Sequence, residues 1–299
     1  MYLIGKAVFE GAFGRPGEPT EFGLKQLDKL MAPDYRKWHE NSEKQTEKVK
    51  ATLTCEKFEI VADDGIKLRA DFYRAKDNSN KTAILIHGYQ SNGLQDHSTN
   101  LQKYLEHGFN VLLPANRSTG DSEGDYTGFG ILESRDTIKW VRYIEDLIPE
   151  SQIVLQGVSL GGATVCMMSR LDIEKSVKCI ISDCAFETVR AQLEEFCNIY
   201  HIPKFLIKGV VYWCNKKAKY HVDQDSPLEA VKEAKVPMFF VHGGDDRFIP
   251  RRFCEDLYNA CTAEKEKLYI EEAGHSSSYY FGQERYYDPI FKFIDKYVK

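Results

Sequence analysis

Apolar and polar residues alternate from Cys55 to Val61 and again from Lys67 to Tyr73, with Asp63-Asp64-Gly65 between the two stretches. A period of two turns one face of each stretch to a core and the other to water, and the glycine-bearing break reads as a hairpin turn. From Lys81 onward the texture changes. Short apolar runs, TAILIH, NVLLPA, QIVLQG, KCIISD, VPMFFVH and KLYIEE, alternate with segments of helical spacing. Helices are expected near Asn100 to His107, over Leu132 to Ile148, after Ser159, over Arg251 to Ala260 and at the end of the chain. Ile138, Val141, Ile144 and Ile148 fall on one face of the second of these, and Tyr287, Ile290, Phe291, Ile294 and Val298 on one face of the last. The pattern predicts an α/β fold: a mostly parallel, doubly wound sheet led by an antiparallel hairpin.

Two regions depart from the alternation. Residues 1–53 are polar and rich in lysine and glutamate, with weak helical spacing in LKQLDKLMA and YRKWHENSEKQTEKVK, and are expected to form a helical arm packed on a main domain of residues 54–299. The scattered apolar residues of MYLIGKAVFEGAFGR suit a short surface helix. Between KCIISD and VPMFFVH lie some fifty residues, more than a strand-to-helix connection needs, so a small helical cap is expected at about 186–225. Its Phe196, Tyr200, Phe205, Leu206, Val210, Val211, Tyr212 and Trp213 either roof a pocket or bury the cap on the domain. The neighbouring Lys216, Lys217 and Lys219 read as a solvated face.

Composition narrows the class. A chain of 299 residues, 42% hydrophobic and 28% charged, has material for one large core. With a net charge of −5 and both signs interspersed, neither nucleic acid nor an anionic membrane is suggested as partner. The eight cysteines show no C-x-x-C pair and sit in apolar contexts, as buried reduced thiols do, which points to a cytoplasmic setting. The N-terminus lacks a basic segment followed by a long apolar one, and no stretch reaches the roughly 18 apolar residues of a membrane span.

The chemistry enters at Gly157-Val158-Ser159-Leu160-Gly161, where an apolar run gives way to GGATVCMMSR. A serine at a sharp strand-to-helix turn needs strained backbone angles and small neighbours two positions away, which Gly157 and Gly161 supply. A hydroxyl is a poor nucleophile until a base accepts its proton, and the base needs a carboxylate to orient it. His275, on the loop after KLYIEE, stands at the same edge of the sheet as Ser159 and is the expected base. His39, His97, His107, His201 and His221 fall in polar contexts and read as surface residues, while His87 and His242, before glycines at strand ends, read as loop-positioning groups. A metal held by His87, His242 and His275 finds no support in a recognised ligand spacing. Asp245, Asp246 and Asp183 are the available carboxylates at strand ends. An oxyanion would be received by the Leu160 N–H and by one from the loop after TAILIH.

These motifs together resemble the α/β-hydrolase superfamily. VHGGDDRFIP is similar to the family pattern H-G-x-x-D-x-x-[VI]-P, which assigns the acid to Asp246, leaves Asp245 as a turn residue and Asp183 as the fallback. HGYQSN resembles the H-G-x motif and carries the second oxyanion donor to Tyr89. NRSTGDSEG resembles the R-G-x-G-x-S-x-G loop, with Ser118 where the first of those glycines is usual, and reads best as a structural loop. The order Ser159, Asp246, His275 is also the family order. The resemblance spans roughly Glu56 to Lys299 and is greatest to small bacterial serine esterases and serine-aminopeptidase-like hydrolases.

The resemblance implies acyl transfer to water through an acyl-enzyme on Ser159, with a small ester of short to medium acyl chain or an aryl ester as substrate and no cofactor or metal. A peptidase or amidase on the same fold is the alternative, and a non-catalytic binding protein a remoter one, since no member of the triad is missing. A haloalkane dehalogenase would need aspartate at the elbow, where Ser159 stands.

Overall fold

In the computed structural model, residues 2–17, 35–173 and 175–299 are described. The hairpin forms as read, β1 (Glu56–Val61) against β2 (Lys67–Tyr73), and six further strands follow: β3 (Lys81–Ile86), β4 (Asn110–Pro114), β5 (Gln152–Val158), β6 (Val177–Asp183), β7 (Met238–Gly243) and β8 (Lys265–Ile270). They make one sheet in the order β1-β2-β4-β3-β5-β6-β7-β8. β2 runs antiparallel to both neighbours, and every pairing from β4 to β8 is parallel.

The central strands are apolar on both sides because helices cover both. Ile84, Ile86, Ile153, Leu155, Ile180, Met238 and Phe240 enter one core cluster, while the intervening Ala83, Leu85, Val154, Ile181, Phe239 and Val241 enter a second across the sheet. The first face is covered by α4 (Ile131–Leu147), α5 (Leu160–Met168) and α9 (Arg251–Ala260). The second carries α3 (Gly93–Glu106) and α11 (Glu284–Tyr297). The chain leaves β3 for β4 on one side and returns to β5 on the other, so the strand order reverses between β3 and β5. Ligands bind outside the carboxyl ends of strands at such a reversal.

Several expectations need correction. The helix expected near Asn100 begins at Gly93, because the Asn92 side chain accepts the Gln95 N–H at 3.0 Å and caps it early. That brings His97 onto the sheet side, fully buried beside Leu101, whereas it was expected at the surface. Among the described residues the arm holds two helices, α1 (Tyr2–Phe13) and α2 (Tyr35–Thr52), packed on opposite faces. Phe9 and Phe13 of α1 join the first core and Trp38 and Val49 of α2 the second, so α1 is no mere surface helix. The weak helix expected over residues 24–32 lies outside the described residues.

The segment after β6 is helical: α6 (Val189–Ile199), a short turn Lys204–Leu206, α7 (Ile207–Trp213) and a wide turn Cys214–Ala218. Two five-residue helices, α8 (Pro227–Val231) and α10 (Ser278–Gly282), complete the chain.

Candidate active site

Ser159 sits between the last residue of β5 and the first of α5, at φ 56° and ψ −116°. A side chain is strained there, and the packing explains why the backbone stays. A Cβ on Gly157 would lie 2.1 Å from the Gly161 carbonyl oxygen, and one on Gly161 would lie 2.0 Å from the Ile86 carbonyl oxygen. Only glycines let the elbow close onto β3. The Ser159 N–H donates to the Asp183 carbonyl at 2.9 Å, and its own carbonyl accepts the Ala163 N–H at 2.9 Å, so both sides of the turn are tied down.

The Ser159 Oγ is 2.9 Å from His275 Nε2, and His275 Nδ1 is 2.8 Å from Asp246 Oδ2. The other Asp246 oxygen accepts the Phe248 N–H at 2.9 Å and the Ile249 N–H at 2.8 Å. With one oxygen pinned by two backbone donors, the second, which also lies 3.4 Å from His242 Nε2, accepts the His275 Nδ1–H, and that makes His275 Nε2 the acceptor for the serine hydroxyl. Burial opposes ionisation of Asp246, yet His275 and the backbone donors hold it below the usual carboxylate range. Burial likewise opposes charge on His275, but the Asp246 carboxylate outweighs it and holds the ring well above its ordinary value of 6.5. Ser159 is 5% exposed and His275 3%.

The two other carboxylates stand apart from this chain of bonds. Asp245 pairs with Arg247 at 2.9 Å in the turn, as its reading as a turn residue implied. Asp183, the fallback acid, is buried at the end of β6, where it accepts from Tyr286 at 3.1 Å and Ser278 at 3.3 Å and is pushed up to about 6 by burial.

Leu160 opens α5, so its N–H has no partner within the helix and the positive end of the helix faces the serine. Tyr89 follows β3, and its loop is held by Asp96, which accepts the Gly88 N–H at 2.7 Å and the Ser91 hydroxyl at 2.6 Å. Between Tyr89, Leu160, Thr127 and Gly14 lies a space of about 10 Å³, room for about one water. Tyr89 and Leu160 thus flank one small hollow beside the elbow.

The loop with Ser118 is structural in its bonding: Arg117 forks onto Asp136 at 2.7 and 2.9 Å and reaches Asp64 at 2.9 Å. Ser118 keeps the left-handed backbone, φ 60°, that glycine would adopt at no cost.

His87 and His242 are fully buried, and burial holds both below the ordinary imidazole range. His87 bonds the Gly88 carbonyl at 2.8 Å and accepts the Asn116 N–H at 3.0 Å; His242 donates to the Ile249 carbonyl at 2.9 Å. Both position loops. Among the described residues, Cys184, Asp246 and His275 have donor atoms within 4.8 Å of one another. A cation there would have to displace the proton shared by His275 and Asp246, because the other ring nitrogen already faces Ser159.

Sequence reasoning missed the surroundings. The Phe248 ring packs on His275 with centroids 5.0 Å apart and on Phe196 of α6 at 5.1 Å, which makes Phe196 part of the roof. Phe205 and Tyr212, in contrast, point outward at 59% and 44% exposure, so they roof nothing. The Tyr89 hydroxyl donates to the Ala12 carbonyl at 2.6 Å, and Phe13 meets Phe129 at 4.5 Å, which brings α1 to the edge of the site. The only sequence signal for this was the Phe9/Phe13 spacing, one helical turn apart.

A family model described as alpha/beta hydrolase fold matches residues 82–233. The chain is 26% identical over 228 residues to the uncharacterised protein YqkD of Bacillus subtilis, covering 75% of this chain and 74% of that one. It is 25% identical over 232 residues to YfhR of Escherichia coli K12, covering 76% and 75%. Among solved structures, an esterase of Pyrococcus furiosus superposes with a TM-score of 0.68 over 84% of this chain and 94% of its own, at 22% identity, a level that speaks for the fold alone.

Proposed function

Since the chain belongs to the alpha/beta-hydrolase fold family, its chemistry is hydrolysis, and we propose that it is a serine hydrolase cleaving small carboxylic esters through an acyl-enzyme. The observation that carries this reading is the unbroken line of hydrogen bonds from the Ser159 hydroxyl through His275 to Asp246.

On this reading Ser159 attacks the ester carbonyl as His275 Nε2 takes its proton, while Asp246 holds the tautomer and stabilises the imidazolium. The N–H groups of Leu160 and Tyr89 receive the oxyanion, each contributing about a hundred- to a thousandfold in rate. His275 then protonates the leaving alcohol, and water, activated by the same nitrogen, releases the acid. Residues 54–299 would form the catalytic domain, 186–225 its cap and 1–53 an arm that helps to close the site. Eight free thiols, seven of them buried, support a reducing, cytoplasmic setting.

The test is hydrolysis of p-nitrophenyl esters from acetate to palmitate by wild type and Ser159→Ala, with fluorophosphonate labelling alongside. Turnover that depends on Ser159 supports the proposal. Labelling of Ser159 without ester turnover would shift the reading to an amide substrate, and unchanged turnover in the variant would remove the triad from it.

A further inference from the structure

The net charge of the chain conceals a strongly one-sided surface. Residues 201–222 contain five lysines, no arginine and neither aspartate nor glutamate, in a chain whose net charge is −5. The structure folds this stretch into α7 and its flanking turns. Lys208 and Tyr212 lie about one turn apart on α7, Phe205 and Lys216 lie in the turns that flank it, and all four are exposed. Among the described residues Lys208, Lys217 and Lys219 form no ion pair, while Lys216 lies over the Trp213 ring at 5.1 Å.

The arm widens this face. α1 crosses α7 so closely that a Cβ on Gly5 would stand 2.7 Å from the Gly209 Cα, and Lys6 lies over the Trp213 ring at 5.6 Å. Ile4, beside the crossing, is 57% exposed. The result is a two-helix platform on which exposed Ile4, Phe205 and Tyr212 stand among lysines.

We propose that this platform docks the protein on an anionic lipid membrane, lying on the surface without crossing it. No helix among the described residues is long and apolar enough to span a bilayer. Aromatic and aliphatic side chains at the headgroup boundary gain by leaving water, and lysines reach from their apolar stems to lipid phosphates; the alternation along α7 supplies both. A nucleic acid would more naturally be met by arginine forks, and this stretch carries lysine and no arginine.

The experiment is co-sedimentation of the full chain with vesicles of phosphatidylcholine alone and with roughly 30 mol % phosphatidylglycerol, at about 0.05 and 0.5 M salt. The expected result is binding to the anionic vesicles only, weakened at least about tenfold by the higher salt. Combining Lys208→Glu, Lys216→Glu and Lys217→Glu should weaken it by about a hundredfold or more, and Phe205→Ser by several-fold. Unchanged melting temperature and far-ultraviolet circular dichroism establish that the variants fold; if the triple variant does not, Lys208→Gln with Lys217→Gln replaces it. Equal binding to both vesicle types, no binding to either, or unchanged binding by the charge variants overturns the proposal. So does binding of a polyuridine oligonucleotide in place of vesicles, which would assign the surface to RNA.

Discussion

The phenol of Tyr89 reaches across from the loop after β3 to the Ala12 carbonyl at the end of α1, 2.6 Å away. On the proposed mechanism the backbone N–H of this residue serves the oxyanion, while its side chain anchors on the arm.

Tyr89→Phe breaks that anchor and leaves the backbone N–H in the chain. The lost bond, with the Ala12 carbonyl left unpaired, should cost about 1–3 kcal/mol. On the proposed mechanism kcat for a short ester should fall about five- to fiftyfold with KM within about twofold, since a displaced donor is felt in the transition state. Steady-state kinetics and the rate of fluorophosphonate labelling check this together; lowered stability with unchanged kcat would make the contact structural only.

The pH profile follows from His275. On the proposed mechanism it is the general base and must be neutral, and against the effect of burial Asp246 together with Cys184 holds its value well above 6.5. Activity should therefore rise with pH through a midpoint above 6.5. Asp246→Asn removes the charge, so the remaining activity, reduced by about four orders of magnitude, should show its acid limb at lower pH. A wild-type acid limb below the ordinary histidine value would contradict the assignment.

Gly161 and Gly11 make a matched pair of substitutions. Gly161→Ala would force a methyl to within 2.0 Å of the Ile86 carbonyl, backbone against backbone, and should cost more than about 4 kcal/mol or abolish soluble expression. Gly11→Ala meets nothing within 4 Å in the interior of α1 and should gain about 0.5–1 kcal/mol. Denaturant melts of both variants provide the measurement.

Asp183 offers a stability test independent of catalysis. Burial raises its folded value from 3.8 to about 6, so the unfolded chain releases this proton more readily. Its contribution to stability should decline as pH rises through that interval and stay flat above it, by about 3 kcal/mol in all. The difference in unfolding free energy between wild type and Asp183→Asn, measured from pH 4 to 7, isolates it; a difference independent of pH would refute the raised value.

Much of this fold was legible because its strands are apolar on both sides and its helices on one. The apolar runs of Lys81–Ile86 and Gln152–Val158, with helical segments between them, left little choice of class. Ser159 and His275 were legible from where they fall relative to strand ends, and Asp246 from its distance to Pro250 once the family pattern was invoked. His97 was misread because polar neighbours hid a helix that Asn92 starts early. Phe248, Phe13 and the Tyr89 side chain's hold on Ala12 escaped for a different reason: they depend on contacts between segments far apart in the chain, and a local pattern carries no record of those. The platform on α7 escaped because a whole-chain charge averages over it.

The arm's two helices, one on each face of the sheet, impose an order on biogenesis. During synthesis α1 emerges before Phe129 and Gly209, against which it comes to rest, and α2 before the residues of α10 and α11 that share its core. α2 can meet its first partners, the Leu94 and Gln95 carbonyls, early, and α1 can meet Tyr89 and Phe129 before Gly209 is made. Full burial of both helices waits for the more distant contacts, whose closure costs more loop entropy. A nascent chain arrested before Gly209 would already hold Tyr89 and Phe129, part of the seat for α1, and would lack only its crossing with α7.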